Sequence, residues 1–464
     1  MKKTSVFTAV IALLILLTAG AAFIKTNNIH LFSDKSDETV VYTFGNKDED
    51  YEPDSSEDIT NTQSYETGTH AGTSGSSDTE ASSAAAKSTE SSSNNNRSSA
   101  SASRKSNSSD STATVRVTTT TNRQRTTKSS VVNNNSVSNI RFYYNRLSNS
   151  QKYVYAVALD ALSSGKLEFD IPASYKESLK SGLYAFIFDY PEYCNLRTGY
   201  TFYTRGNTTH VELETFSFYT GADGGKYKSS AESKAKSIAQ SAKTYSNPYE
   251  QIKYVHDWLC SNVTYDTSAA RKSDSSKTVT EQLSASAYGA LNNGKAICSG
   301  YSYAFIMIMH ELGYECGMVS GVADGESHGW NVIKIGSDYY YIDVTWDDAD
   351  QGDLITYYYF LLTSSEINKD HQPSNDYSLP DATATQYNYY YYNGYILDSY
   401  DYYAAKEILD KQYGNKYYHI KFTNQSDYQA AVNDKQLSNY AMRLKGKMTI
   451  RYYYNEDCNV IIYT

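Results

Sequence analysis

What the chain most conspicuously lacks is aromatic residues in its first third. Of its 65 Phe, Trp and Tyr residues, seven precede residue 141 (Phe7, Phe23, Phe32, Tyr42, Phe44, Tyr51 and Tyr65), and none falls between 66 and 141. A stretch without large apolar side chains cannot bury enough surface to offset chain entropy, which excludes a folded core there. Cysteine is also scarce. Five thiols (Cys194, Cys260, Cys298, Cys316 and Cys458) in 464 residues are too few for a disulfide scaffold, and at least one must stay unpaired. No C-x-x-C pair occurs, so a structural zinc site is not expected. The net charge of −10 comes without a basic stripe in the aromatic-rich part, which argues against nucleic acid as the main partner. No internal repeat is visible.

What is present begins with Met1-Lys2-Lys3 and an apolar run from Val6 to Ile24, closed by Lys25. Lysines ahead of an apolar stretch orient it for export. Ala19-Gly20-Ala21 suits a cleavage site, and the run is also long enough to remain as a transmembrane anchor. Either way residues 1–25 read as a signal peptide or membrane anchor, which puts the rest outside the cytoplasm, secreted or at the cell surface. Residues 33–58 are acidic and read as irregular. From 71 to 140, Ser, Thr and Asn fill 41 of 70 positions, so 26–139 reads as a disordered tether. The other 58 aromatics lie beyond it, and so does the folded material.

Residues 151–164 have the apolar spacing of a helix. Tyr200–Tyr203 and Val211–Tyr219 alternate around Arg205-Gly206-Asn207 as a hairpin would. A second helix is expected over 248–262, with Asn247 as its cap, Pro248 in its first position and Glu250 completing a capping box. His256 and Asp257 on it read as structural residues pointing in different directions, and Cys260 and Cys316 as buried thiols. After 376 a Tyr-rich segment mixes helices near 402–412 and 427–440 with strands at 418–422, 449–454 and 460–463. It reads as a small α+β module.

Chemistry concentrates between Gly294 and Trp346. Tyr301, Ala304, Phe305, Ile308, Met309 and Leu312 mark a buried helix that Gly313 ends. Cys298 stands at its N-terminus, where free N–H groups and the helix dipole favour a thiolate and could hold an oxyanion. Farther on, Ser327-His328-Gly329-Trp330-Asn331 leads into an apolar strand. Gly336-Ser337 suits a two-residue type II′ turn, and Tyr339 to Trp346 returns. That register makes paired residue numbers sum to 673, so Asp343 falls opposite Trp330 and diagonal to His328, within side-chain reach. A thiol, a base and a group orienting the base are the parts of an activated nucleophile. Cys298, His328 and Asp343 are therefore the expected catalytic residues. The acidic run at 347–350 reads as a solvated loop rather than an ion site, and neither metal nor organic cofactor is implied.

The Cys-x-Gly-Tyr, His-Gly-Trp-Asn and Asp-Val-Thr-Trp pieces, with the upstream Tyr254-Val255-His256-Asp257-Trp258-Leu259 and Ser286-Ala287-Tyr288-Gly289-Ala290-Leu291, resemble bacterial transglutaminase-like domains of the papain-like superfamily. The resemblance implies an α+β fold in which a helix bearing Cys298 packs on an antiparallel sheet bearing His328 and Asp343, over residues 140–375. It also implies a Cys-His-Asp triad. Gly329 stands where that family often has Ala, a small-for-small change. The family places an oxyanion-stabilising side chain upstream of the cysteine, for which Tyr288 is the candidate, and Trp330 would shield the triad. The implied function is thiol acyl transfer on peptide or glutamine amides: peptidase, deamidase or cross-linking enzyme. Its partners would be protein or peptide substrates, including cell-wall or surface material. The alternative is a surface module on the same fold that binds peptide without chemistry.

Overall fold

A computed structural model describes residues 140–464 apart from 217–221, 349–353, 375–377, 448 and 456. Of the first 139 residues it describes the strands His30–Asp34, Asp37–Tyr42 and His70–Ala71. The fold is α+β. The helix expected from 151 is Asn149–Ser163 (α1), opened by a capping box between Ser148 and Gln151. After strand Glu168–Pro172 (β1) and helix Leu179–Asp189 (α2) comes the expected hairpin, Leu196–Arg205 (β2) and Thr208–Thr215 (β3), with Arg205 paired to Thr208 across the turn. Strand Asp37–Tyr42 pairs antiparallel with β2, Thr39 opposite Tyr203. This departs from the irregular reading of residues 33–58. Thr39-Val40-Val41-Tyr42 is a run of β-branched and aromatic residues inside that acidic tract, and such a run favours a strand.

Helices Ala222–Ala242 (α3) and Pro248–Asn262 (α4) follow. Asn247 caps α4 by accepting from the N–H of Tyr249 at 2.8 Å. The cap thus serves the second position of the helix rather than the third, and the box with Glu250 does not form. Helix Cys298–Leu312 (α5) packs against α3, α4 and the central sheet, and ends at Gly313 with φ of 90°. That sheet is antiparallel in the order β6-β5-β4-β7, from Cys316–Ala323 (β4), Glu326–Ile335 (β5), Asp338–Ile342 (β6) and His371–Pro373 (β7). Asn331 pairs with Ile342 and Ile335 with Asp338, so the residue numbers sum to 673 as the turn chemistry requires.

The C-terminal segment has a small core of its own, including Ile408, Leu409, Ile420, Phe422 and Leu437, while Tyr389, Tyr390, Val460 and Ile462 join the main one. The helix expected over 427–440 is two helices, Gln425–Asn433 and Lys435–Leu444. Asp434 breaks it by turning its carboxylate to the N–H of Gln436 at 2.7 Å as a fresh N-cap.

Candidate active site

Cys298 is the first residue of α5. Ile297 before it supplies no capping side chain, so the first-turn N–H groups keep their partial positive charge for the thiol and the space in front of it. Two hydrogen bonds fix α5 to β5. Ser302 Oγ donates to the carbonyl of Gly329 at 3.0 Å, and Asn331 Nδ2 donates to the carbonyl of Ser302 at 3.2 Å. Gly300 permits a close approach on the other side, because a Cβ there would stand 2.4 Å from the carbonyl oxygen of Ser284. The thiol is therefore set against the strand that carries His328.

His328 Nε2 donates to Asp343 Oδ2 at 2.6 Å. This leaves Nδ1 for the thiol, and Cys298 Sγ bonds the His328 ring and the N–H of Gly329. Asp343 follows β6 and caps the short helix Val344–Asp347, its Oδ1 accepting from the N–H groups of Thr345 (2.9 Å) and Trp346 (3.2 Å). One carboxylate oxygen thus holds the backbone while the other faces the imidazole. Burial works against every charge in this row, yet the charges support one another. Burial alone would raise the Cys298 thiol, but the His328 ring and the Gly329 N–H bring it below its ordinary value. Burial alone would lower His328, but Asp343 and Cys298 hold it up at about 10. Asp343 is depressed below the carboxylate range: burial opposes its charge, but His328 and then His371 outweigh it. All three shifts run in the same sense, toward thiolate, imidazolium and carboxylate.

Cys298 is partly exposed while the other four thiols are buried. It opens into a cavity of about 230 Å³ whose polar walls include Arg197, Tyr265, Asp274, Lys277, Gln282 and Ser299. Tyr288 does not line it; its ring stands edge-on to Tyr227 with centroids 4.7 Å apart. The donor-bearing side chains upstream of the cysteine that do reach the cavity are Arg197, Thr198, Tyr265, Lys277 and Gln282. Trp330 is fully buried and lies over His328, centroids 6.1 Å apart.

Two groups near the site differ from the sequence reading. His256 Nδ1 does meet Asp257 Oδ1 at 3.1 Å, because the imidazole turns along the helix surface. Asp347 is no solvated residue. It is fully buried, accepting from His256 Nε2 (3.1 Å), Thr356 Oγ1 (3.0 Å) and the N–H of Tyr359 (3.0 Å), and it fastens α4 to the segment carrying Asp343. Sequence reasoning also missed His371. It is fully buried on β7, with Nε2 3.1 Å from Asp343 Oδ2. The side-chain atoms of His328, Asp343 and His371 cluster within 4.8 Å, and the two N–H···O bonds onto Oδ2 account for that closeness without an ion. Only a long-range contact, Pro373 opposite Gly321 across the sheet, brings His371 here.

A helix-borne thiol facing a strand-borne imidazole and carboxylate on an antiparallel sheet is the arrangement of a cysteine-nucleophile site. Residues 236–346 match the sequence profile of the transglutaminase-like superfamily. The chain carries a transglutaminase-like domain. A crystal structure described as a TGase is 19% identical over 30% of this chain and 42% of its own, with a TM-score of 0.23. A protein from Cytophaga hutchinsonii, described as a candidate cysteine protease, is 16% identical over 31% of this chain and 56% of its own, with a TM-score of 0.21. The chain thus spans about half the length of these two structures. No curated protein matches it.

Proposed function

We propose that Cys298 is the nucleophile of a thiol acyl transfer on peptide or glutamine amides. The observation that carries this reading is the hydrogen-bonded row Cys298–His328–Asp343, ending at a partly exposed thiol on a cavity. The thiolate attacks the amide carbonyl carbon while the first-turn N–H groups of α5 face the developing oxyanion. The C–N bond breaks, and the His328 imidazolium gives its proton to the departing nitrogen as ammonia or an amine. Water or a primary amine then attacks the thioester, His328 takes the attacker's proton, and the thiolate is restored. Asp343 keeps His328 Nδ1 turned to sulfur and stabilises the cation.

Water as the second substrate gives a peptidase or deamidase, and a lysine amine gives a cross-linking enzyme. We favour water, since it is always present and a second-substrate site has to be built. Among the described residues no helix is long and apolar enough to cross a membrane; the apolar run 6–24 lies outside them. That run supports a secreted or surface-held enzyme, whose reachable substrates would be surface proteins and peptide-linked wall material.

The test is the full chain with glutamine-containing peptides, following ammonia, new amino termini and uptake of a fluorescent primary amine. Ammonia or cleavage without amine uptake supports hydrolysis, and amine uptake supports cross-linking. A peptide affinity that survives Cys298→Ala, beside a wild-type thiol that iodoacetamide labels only near pH 8.5, the free-thiol value, would replace the enzyme with a binding module.

A further inference from the structure

The row of polar groups does not stop at Asp343. Behind it His371 Nε2 lies 3.1 Å from Asp343 Oδ2, and His371 Nδ1 lies 2.5 Å from Asp370 Oδ1. Asp370 Oδ2 accepts from the Tyr359 hydroxyl at 2.7 Å. Proton accounting constrains the ring. Asp343 Oδ2 is an acceptor for His328, so His371 Nε2 must carry a proton to bond it. Asp370 Oδ2 accepts from tyrosine, and an ionised Oδ1 requires a proton on Nδ1 as well. With both carboxylates ionised, His371 is an imidazolium. The groups facing it are Asp343, Asp370, His328 and Tyr359, whose hydroxyl also bonds Asp370; the rings of Trp330, Trp346 and Tyr359 pack on it with centroids 4.8, 4.5 and 5.3 Å away. Among the described residues no lysine or arginine pairs with either carboxylate; His328 meets Asp343 alone, and His371 is the cation that the two carboxylates share.

We propose that His371, held as a buried imidazolium between Asp370 and Asp343, is a positioning residue that aims Asp343 and sets the proton affinity of His328. This inference rests on the acyl-transfer reading of the site. Along the row the charges alternate: Asp370 negative, His371 positive, Asp343 negative, His328 positive, Cys298 negative. Without His371, Asp343 would act on His328 unopposed and hold its proton too tightly for transfer to a leaving group. The protein balances burial, which disfavours a charged His371, with its bonds to Asp343 and Asp370, which keep it above its ordinary pKa. Gly321 makes the arrangement possible. A Cβ there would stand 2.2 Å from the carbonyl oxygen of Gln372 and 2.8 Å from Trp330 Cη2, so only glycine lets β7 close on the site.

The experiment is iodoacetamide labelling of Cys298 in the full chain from pH 4 to 12, wild type beside His371→Gln. The profile has a lower step, where the thiolate forms, and an upper step, where His328 loses its proton. Removing a positive charge makes every nearby proton bind more tightly, so both steps should move to higher pH. With ring centroids 5.6 Å apart and an effective dielectric constant of ~20, the upper step should rise by about two units. The lower step should rise less, since the thiol is farther away. A merely structural role would loosen the triad instead, moving the lower step up and the upper step down. Converging or unmoved steps overturn the proposal. If the glutamine variant does not fold, ring ¹⁵N NMR of the wild type decides: His371, assigned by its contacts to Trp330 and Trp346, should carry protons on both nitrogens at pH 7. A singly protonated ring overturns the proposal as well. A wild-type thiol that labels only near pH 8.5 removes the acyl-transfer reading itself and the proposal with it.

Discussion

Asp343→Asn is the substitution that most sharply separates the site's electrostatics from its architecture. Asparagine has the same shape, and its side-chain oxygen can keep accepting from the N–H groups of Thr345 and Trp346, so the cap and the local fold should survive. Its NH₂ would then face His328 Nε2 and His371 Nε2, which are both donors now. Donor against donor is repulsive. The rings must give up their Nε2 protons, which puts the His328 proton on the nitrogen facing sulfur and leaves the thiol without a base. Asp343 is, after burial, the first cause holding His328 at about 10. Losing it should carry that ring down toward its ordinary range. Cys298 would then behave as an ordinary thiol with a pKa near 8.5. At pH 6 such a thiol is only about 0.3% thiolate, so iodoacetamide labelling should fall well below that of the wild type, with a far-UV spectrum unchanged. Labelling of the Asn variant within threefold of wild type at pH 6 would refute the claim that Asp343 acts through His328.

The same shifts govern stability. His328 is raised, so its contribution is complete below about pH 6.5 and is lost as pH climbs toward 10. Asp343 is depressed, so its contribution is complete above about pH 4 and is lost as pH falls lower. The wild-type Tm should therefore decline between pH 6.5 and 10 by a few degrees more than that of His328→Gln, and parallel curves would contradict the charge-coupled row. Gly300→Ala should destabilise by roughly 1–3 kcal/mol in a urea titration, because its Cβ meets the backbone of Ser284. Gly329→Ala meets only the flexible end of Met318, 2.5 Å away, and should cost less than half as much. Tyr288→Phe should leave both alkylation and turnover unchanged, since the ring lies outside the cavity; a tenfold loss of turnover would return it to the site.

Local chemistry explains why part of this was legible. A two-residue turn fixes a register, and a register fixes which side chains share a face. Gly336-Ser337 alone was therefore enough to aim residue 343 at residue 328. The position of Cys298 was legible for a similar reason, because an apolar spacing from Tyr301 to Leu312 and a glycine at 313 define both ends of α5. Each of these inferences spans fewer than about 20 residues, and none needs to know what packs on the other side. Helix α4 shows the limit even at that scale: the residue types for a capping box were present, but Asn247 engaged Tyr249 instead.

His371, Asp347 and Tyr288 lie beyond that reach, and they fail for one reason. His371 stands 28 residues past Asp343, after an acidic stretch and with no periodic pattern around it, and it enters the site only because β7 pairs with β4. Asp347 reads as surface in an acidic run, yet it is buried because His256, 91 residues earlier, supplies a partner. A charged residue is exposed by default and becomes buried when a distant group satisfies it, so its composition and neighbours in sequence carry no sign of that fate. Tyr288 fails in the opposite sense: one tyrosine among 48 has nothing local to mark it as reaching a cavity. The primary row of the site is thus written in short-range turn and helix signals, while the charges that tune it depend on long-range pairing. Gly321 is where the two meet. Read alone it is a glycine in a strand, and in the fold it is the gap through which β7 brings a second imidazole against Asp343.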